Sequence, residues 1–274
     1  MTELAASLPQ SRSAGNATTS VFDVQQVNLE LGSGNKRRPI LEDINLEVGE
    51  GEIVGIIGPS GTGKTSLLRV LAGLESATSG SVQFDGESMN GPSRHAVTVF
   101  QDYAAALLPW RTVEGNVALP IESRQPKAKR KAAVAQALAM VGLEHRGADY
   151  PWQLSGGMQQ RVQIARALVL QPRVLLLDEP FGALDAITKA SLQDQVLALH
   201  RETGMTVVFV THDLEEAAYM SDRVVVLAGT PGRVIEEVDI DLPRPRDQVE
   251  TRDLAHYTDI RHSLGRMLRD GHRG

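Results

Sequence analysis

Ile53-Val54-Gly55-Ile56-Ile57-Gly58-Pro59-Ser60-Gly61-Thr62-Gly63-Lys64-Thr65-Ser66 is the stretch that decides the fold. Its first five residues form a continuous apolar run, suited to a strand buried on both faces of a parallel sheet. Residues 65–72 read as a helix that ends at Gly73. Between strand and helix, Gly58 to Thr65 fits G-x-x-x-x-G-K-[ST] at every fixed position. Glycines let the backbone wrap a phosphate with its N–H groups pointing inward, at dihedral angles that a Cβ would oppose. The helix adds its unpaired N-terminal N–H groups and positive dipole end. Lys64 brings a full charge to the β- and γ-phosphates, and the Thr65 hydroxyl can ligate Mg²⁺. The candidate nucleotide-binding residues are Gly58, Pro59, Ser60, Gly61, Thr62, Gly63, Lys64, Thr65 and Ser66.

A phosphate loop of this kind needs a carboxylate at the end of a neighbouring strand to hold Mg²⁺ through water. Val174-Leu175-Leu176-Leu177-Asp178-Glu179-Pro180 supplies one. Four apolar residues bury the strand, and the acids stand where it emerges at the carboxyl edge, where open α/β sheets bind ligands. Asp178 is placed for the metal and Glu179 to polarise the attacking water as general base.

Working outward, residues 21–31 and 40–48 alternate as strands, with a polar, basic turn at 33–38. Residues 125–141 and 161–170 carry helical patterns. Strands return at 174–177, 206–210 and 224–227, with a helical stretch at 188–202. Strands alternating with helices imply a mostly parallel α/β sheet, and the helical middle reads as a subdomain inserted into it. Residues 1–20 are low in hydrophobicity, without a basic n-region or a sustained apolar core, which predicts a disordered tail and no secretory signal.

Composition narrows the function further. The 274 residues carry 28 Lys+Arg against 34 Asp+Glu, a net charge of −6, which argues against sequence-independent nucleic-acid binding. The absence of cysteine removes disulfides, thiolate metal sites and a Cys nucleophile. Aromatic content of 4% argues against a stacking platform for single strands. No apolar run approaches the roughly 20 residues of a membrane-spanning helix.

Leu154-Ser155-Gly156-Gly157-Met158-Gln159-Gln160-Arg161 resembles the signature of ATP-binding cassette (ABC) ATPases, and it precedes the Asp178-Glu179 strand as in that family. Gln101 after Val99-Phe100, Ala183-Leu184-Asp185 after the acidic pair, and His212 after the 206–210 strand follow in the family's order. The resemblance implies a P-loop NTPase (RecA-like) core with an N-terminal antiparallel β part and an inserted α-helical subdomain at about 102–165. The cassette spans 21–246, with a C-terminal tail at 247–274. It implies ATP and Mg²⁺ as cofactors, Thr65, Gln101 and Asp178 as metal ligands, and Glu179 and His212 as catalytic residues. Ser155, Gly156, Gly157 and Gln159 would complete the nucleotide pocket of a second copy in a head-to-tail dimer, with Asp185 coupling the two sites. Two positions depart from the family pattern: Leu31 stands where an adenine-stacking aromatic is common, Phe22 being too far upstream, and Met158 where many relatives have Gln.

The segments Gln101-Asp102-Tyr103, Leu108-Pro109-Trp110-Arg111-Thr112-Val113, Pro231-Gly232-Arg233 and Leu242-Pro243-Arg244-Pro245-Arg246 are similar to the ATPases of nitrate, sulfonate and taurine importers. That resemblance implies a cytoplasmic subunit, peripheral on the inner face of the cell membrane. Its partners would be integral membrane permease subunits and, indirectly, a solute-binding protein, with no nucleic acid. Tyr103, Leu107, Leu108 and Trp110 are too apolar for a free surface loop. They are expected either to meet the permease, with Gln101 as hinge, or to fill the core of the helical part. Leu254, Ile260, Leu264 and Leu268 are spaced for one docking helix, a frayed end being the alternative, and the short stretch after Arg246 predicts no large regulatory domain. The competing functional reading is a soluble ABC-type ATPase acting on nucleic acid or ribosomes; those usually carry tandem cassettes or long coiled coils, and this chain has one cassette and no heptad run.

Overall fold

A computed structural model describes residues 19–101, 106–182 and 184–270. The expected tail at 1–20 therefore lies almost wholly outside the described residues, as does Tyr103. Four strands, β1 (Ser20–Leu31), β2 (Arg38–Gly49), β4 (Ser79–Phe84) and β5 (Glu87–Ser88), form an antiparallel sheet in the order β2-β1-β4-β5. The second sheet contains β3 (Ile53–Ile57), β6 (Ala96–Val99), β7 (Val174–Asp178), β8 (Thr206–Val210), β9 (Arg223–Ala228) and β10 (Arg233–Asp239). Its order is β10-β9-β3-β8-β7-β6, parallel throughout except for the antiparallel edge pair β9–β10.

The apolar runs divide their side chains between two cores with a period of two. Ile53, Ile57, Leu175, Leu177, Val207 and Phe209 face one core, while Val54, Ile56, Val174, Leu176, Val208 and Val210 face the other. The first core packs against α2 (Val113–Ala118), α3 (Lys127–Met140), α4 (Gly156–Leu168) and α5 (Ala186–Thr203). The second holds α1 (Lys64–Leu71) and the inner face of the antiparallel sheet, where Phe22 meets Phe84 with ring centroids 5.1 Å apart. Because β7 is covered on both faces, truncating Leu176 to Ala would remove about 2–5 kcal/mol.

Helix starts follow their caps. The α4 helix begins five residues before the expected 161, because Ser155 Oγ accepts the Met158 N–H at 3.3 Å and releases the chain into helix at Gly156. Asp185 caps α5 through the Thr188 N–H at 3.0 Å, two residues ahead of the expected start. Asp213 caps α6 (Leu214–Met220) by accepting from Glu215 and Glu216. The C-terminal tail carries a helix, α7 (Ala255–Asp270), with Tyr257, Ile260 and Leu264 buried along one face. Tyr257 donates to Glu215 O at 3.2 Å, and Arg252 and Arg261 both pair with Glu215, so α7 rides on α6.

Leu107 is buried with Val113 and Val117 in the helical core, whereas Trp110 stands 71% exposed and Leu108 is half-buried. The apolar segment expected to do one job is thus divided between packing and surface.

Candidate nucleotide site

The strand β3 delivers Gly58 to the carboxyl edge of the parallel sheet, and the chain turns there through two left-handed glycines, Gly61 (φ 85°) and Gly63 (φ 83°). Gly58 cannot carry a side chain, since a Cβ would lie 2.5 Å from Leu227 O of the adjoining β9. Thr62 Oγ1 donates to Pro59 O at 2.9 Å and braces the loop from within. A second brace comes from Gly232, whose backbone passes so close that a Cβ would lie 1.9 Å from Thr62 O. Gly232 is tied to β2 by its N–H to Ile40 O and its O to the Glu42 N–H, both 2.9 Å.

Lys64 opens α1 but folds back, donating from Nζ to Gly58 O at 2.7 Å and Pro59 O at 2.9 Å. Its burial holds the ammonium below its ordinary pKa, against the opposing pull of Glu179 and Asp178. Thr65 Oγ1 donates to Asp178 Oδ1 at 3.0 Å, which joins the helix to the end of β7. Burial pushes the Asp178 carboxyl up, with the Thr65 hydrogen bond opposing. A desolvated carboxylate beside a hydroxyl, with no bidentate cationic partner among the described residues, is a donor set that suits a small hard cation. The exposed or half-buried rim of the loop is formed by Pro59, Ser60, Gly61, Gly63, Thr65 and Ser66.

Glu179 leaves the strand at φ 46°, a left-handed turn that aims its side chain along the sheet edge. Its Oε2 accepts from Gln101 Nε2 at 2.9 Å, and its Oε1 lies 3.4 Å from His212 Nδ1. Residues from the ends of β3, β6, β7 and β8 therefore converge: Lys64, Thr65, Gln101, Asp178, Glu179 and His212. The arrangement sets the Glu179 carboxylate between an amide and an imidazole, next to the Thr65–Asp178 hydroxyl–carboxylate pair and the glycine-turned loop.

Ser155, Gly156, Gly157, Gln159 and Asp185 form a separate group. A Cβ on Gly157 would lie 2.9 Å from Leu184 Cδ2, so the starts of α4 and α5 are packed together. Ser155 and Asp185 are exposed at these helix starts, and Gln159 Nε2 donates inward to Pro151 O at 2.9 Å and Leu154 O at 3.3 Å. Thr188 hydrogen bonds hold the Asp185 carboxyl below its ordinary range. Among the described residues no hydrogen bond or ion pair joins this group to the phosphate loop. Buried Gln160 ties α4 to the chain just after the acidic pair, its amide donating to Pro180 O.

A cluster that motif reading missed lies beneath His212. Lys189 Nζ of α5 pairs with Asp213 Oδ2 and Glu216 Oε1, both at 2.6 Å, and Thr211 Oγ1 donates to Glu216 Oε2 at 2.5 Å. The Asp213-x-x-Glu216 spacing was the available signal, being the pattern of a helix start.

Residues 41–182 match the family model described as ABC transporter. The chain is 49% identical over 245 residues to the aliphatic sulfonates import ATP-binding protein SsuB 1 of Xanthomonas axonopodis pv. citri, covering 88% of this chain and 94% of that protein. It is 42% identical over 237 residues to the nitrate import ATP-binding protein NrtC of Synechococcus elongatus, covering 85% of this chain but only 36% of that longer protein. The ATP-binding cassette MJ0796, solved as a dimer in a post-hydrolysis state bound to ADP and Pi, superposes with a TM-score of 0.72 at 33% identity, covering 80% of this chain and 98% of that one. The phosphate loop, the strand-end acids and the ordered motifs between them lie in a chain that belongs to the ABC transporter family, as one of its ATP-hydrolysing subunits.

Proposed function

We propose that this subunit drives import of a small oxyanion, of the nitrate or aliphatic sulfonate class, by closing on ATP as a head-to-tail pair beneath a membrane permease on the cytoplasmic face. The observation that carries the hydrolytic half is the position of Glu179 between Gln101 and His212, beside the Thr65–Asp178 pair. The backbone of Gly58 to Ser66 wraps the β- and γ-phosphates, and Lys64 exchanges its two carbonyl partners for phosphate oxygens. Thr65, Asp178 and Gln101 would hold Mg²⁺, which neutralises charge on the phosphates when bound. Glu179 takes the proton of the attacking water, and His212 orients that water and contacts the γ-phosphate. Ser155, Gly156, Gly157 and Gln159 close over the nucleotide of the second copy, with N–H groups at a helix start facing its γ-phosphate, and Asp185 sits between the two sites.

The solute class rests on likeness to the sulfonate and nitrate relatives. The permease contact is assigned to the Gln101–Trp110 segment on the exposure of Trp110. Among the described residues no helix is long and apolar enough to cross a membrane.

Glu179→Gln tests the catalytic assignment. The amide keeps shape and hydrogen bonding but takes no proton, so turnover falls by about 10²–10⁴-fold, ATP binding persists, and an ATP-locked dimer elutes in size-exclusion chromatography. Wild-type turnover would overturn the assignment. For the solute, ATPase activity of the reconstituted permease complex is measured with nitrate and with an alkanesulfonate; stimulation by neither removes the oxyanion reading.

A further inference from the structure

At the position where the family places an aromatic for the adenine base, this chain has Leu31, packed against the core at the end of β1. Phe22, on the same strand, is fully buried against Phe84. An aromatic surface exists elsewhere. Trp152 is 65% exposed and stacks on Tyr150, with centroids 4.5 Å apart and rings inclined by 14°. Tyr150 stacks on the indole, yet among the described residues most of Trp152 remains exposed, an unfavourable state for a large apolar ring unless something planar covers it.

This shelf is fixed to the signature helix. Buried Pro151 links the two residues along the chain; Gln153 Oε1 accepts the Tyr150 N–H at 2.8 Å; and Gln159 of α4 donates to Pro151 O and Leu154 O. Trp152 is three residues ahead of Ser155, at most about 10 Å of chain. Whatever phosphate approaches Ser155 from the second copy carries its base into the neighbourhood of the indole.

We propose that Trp152 stacks on the adenine of the ATP held by the partner copy's phosphate loop, supplying in trans the aromatic that Leu31 does not supply in cis. The inference rests on the head-to-tail sandwich proposed above. A base–aromatic stack of ordinary strength corresponds to roughly 5- to 150-fold in binding per site.

The chain has two tryptophans, so Trp110→Phe leaves Trp152 as the sole indole reporter. In a Glu179→Gln, Trp110→Phe protein, Mg-ATP is titrated while light scattering follows dimer formation and emission follows the indole. The expected result is quenching that tracks dimerisation, stronger with ATP than with CTP. Trp152→Ala should raise the ATP concentration for half-dimerisation by at least about fivefold, with Trp152→Phe restoring most of it. In a Ser155→Arg background, which keeps the chain monomeric, ATP should leave emission unchanged and Trp152→Ala should leave ATP affinity unchanged. A dimer that forms with unquenched indole and an unchanged midpoint in Trp152→Ala overturns the shelf alone and leaves the exposed ring to a permease helix. An effect of Trp152→Ala on the monomer's ATP affinity overturns action in trans. No ATP-dependent dimer in the parent protein overturns the sandwich and the shelf with it.

Discussion

Asp178 is buried beside Lys64 and Thr65, and burial raises its pKa above the usual carboxylate value. Between that usual value and the raised one, the folded chain holds more protons than the unfolded chain. Stability of the nucleotide-free protein therefore falls as pH rises through that window. Asp178→Asn keeps an acceptor for the Thr65 hydroxyl and removes the charge. Calorimetry of the nucleotide-free variant should show a melting temperature above wild type at neutral pH and flatter between acid and neutral pH, while Mg²⁺-dependent ATP turnover is lost. A lower melting temperature would contradict the account. This trade of stability for function was half legible in the sequence. The Asp178-Glu179 pair announces itself at the end of an apolar run, and the phosphate loop is contiguous, so spacing alone exposes both. The bond from Gln101 to Glu179 spans 78 residues, and no local pattern records it.

At the scale of elements, α6 is short and its first turn rests on the Lys189–Asp213–Glu216–Thr211 cluster. Glu216 is 3% exposed, so removing Lys189 leaves a buried carboxylate without its cation. Because Lys189 is itself about a quarter exposed, the Lys189→Met loss should be about 2 kcal/mol, below the range for a fully buried pair. Denaturant unfolding checks this, with Glu216→Gln expected to recover much of the loss in the double variant. His212 immediately precedes this turn, so turnover should fall more than ATP affinity. The buried strands β3, β7, β8 and β9 were legible because each is an apolar run with both faces covered. The strands β4 and β10 were not: β4 begins with Ser-Gly-Ser, the edge strand β10 is mostly exposed with four charged residues, and neither carries a continuous apolar run.

Across the whole molecule, Arg223 and Gly232 are two of the ties that add to the shared apolar core between the two sheets. Arg223 of β9 donates to Glu52 at 2.8 and 3.0 Å and to Glu47 O of the antiparallel sheet at 2.5 Å, and it also pairs with Glu237. Gly232 lies against Thr62 of the phosphate loop. A methyl group there must displace loop backbone, and overpacking of this kind typically amounts to about 1–3 kcal/mol. Gly232→Ala should thus weaken ATP binding roughly tenfold while circular dichroism stays native; unchanged affinity would show that the loop does not depend on this brace. The same brace sets a schedule for the ribosome. The strand that feeds the loop takes its ladder partners from residues 206–210 and 223–226. The glycine that steadies it arrives at residue 232, about 170 residues after the loop has been made. A nascent chain therefore carries its nucleotide motif as mere sequence while the intervening strands are made, and ATP finds a receptive pocket only after Gly232 has left the ribosome.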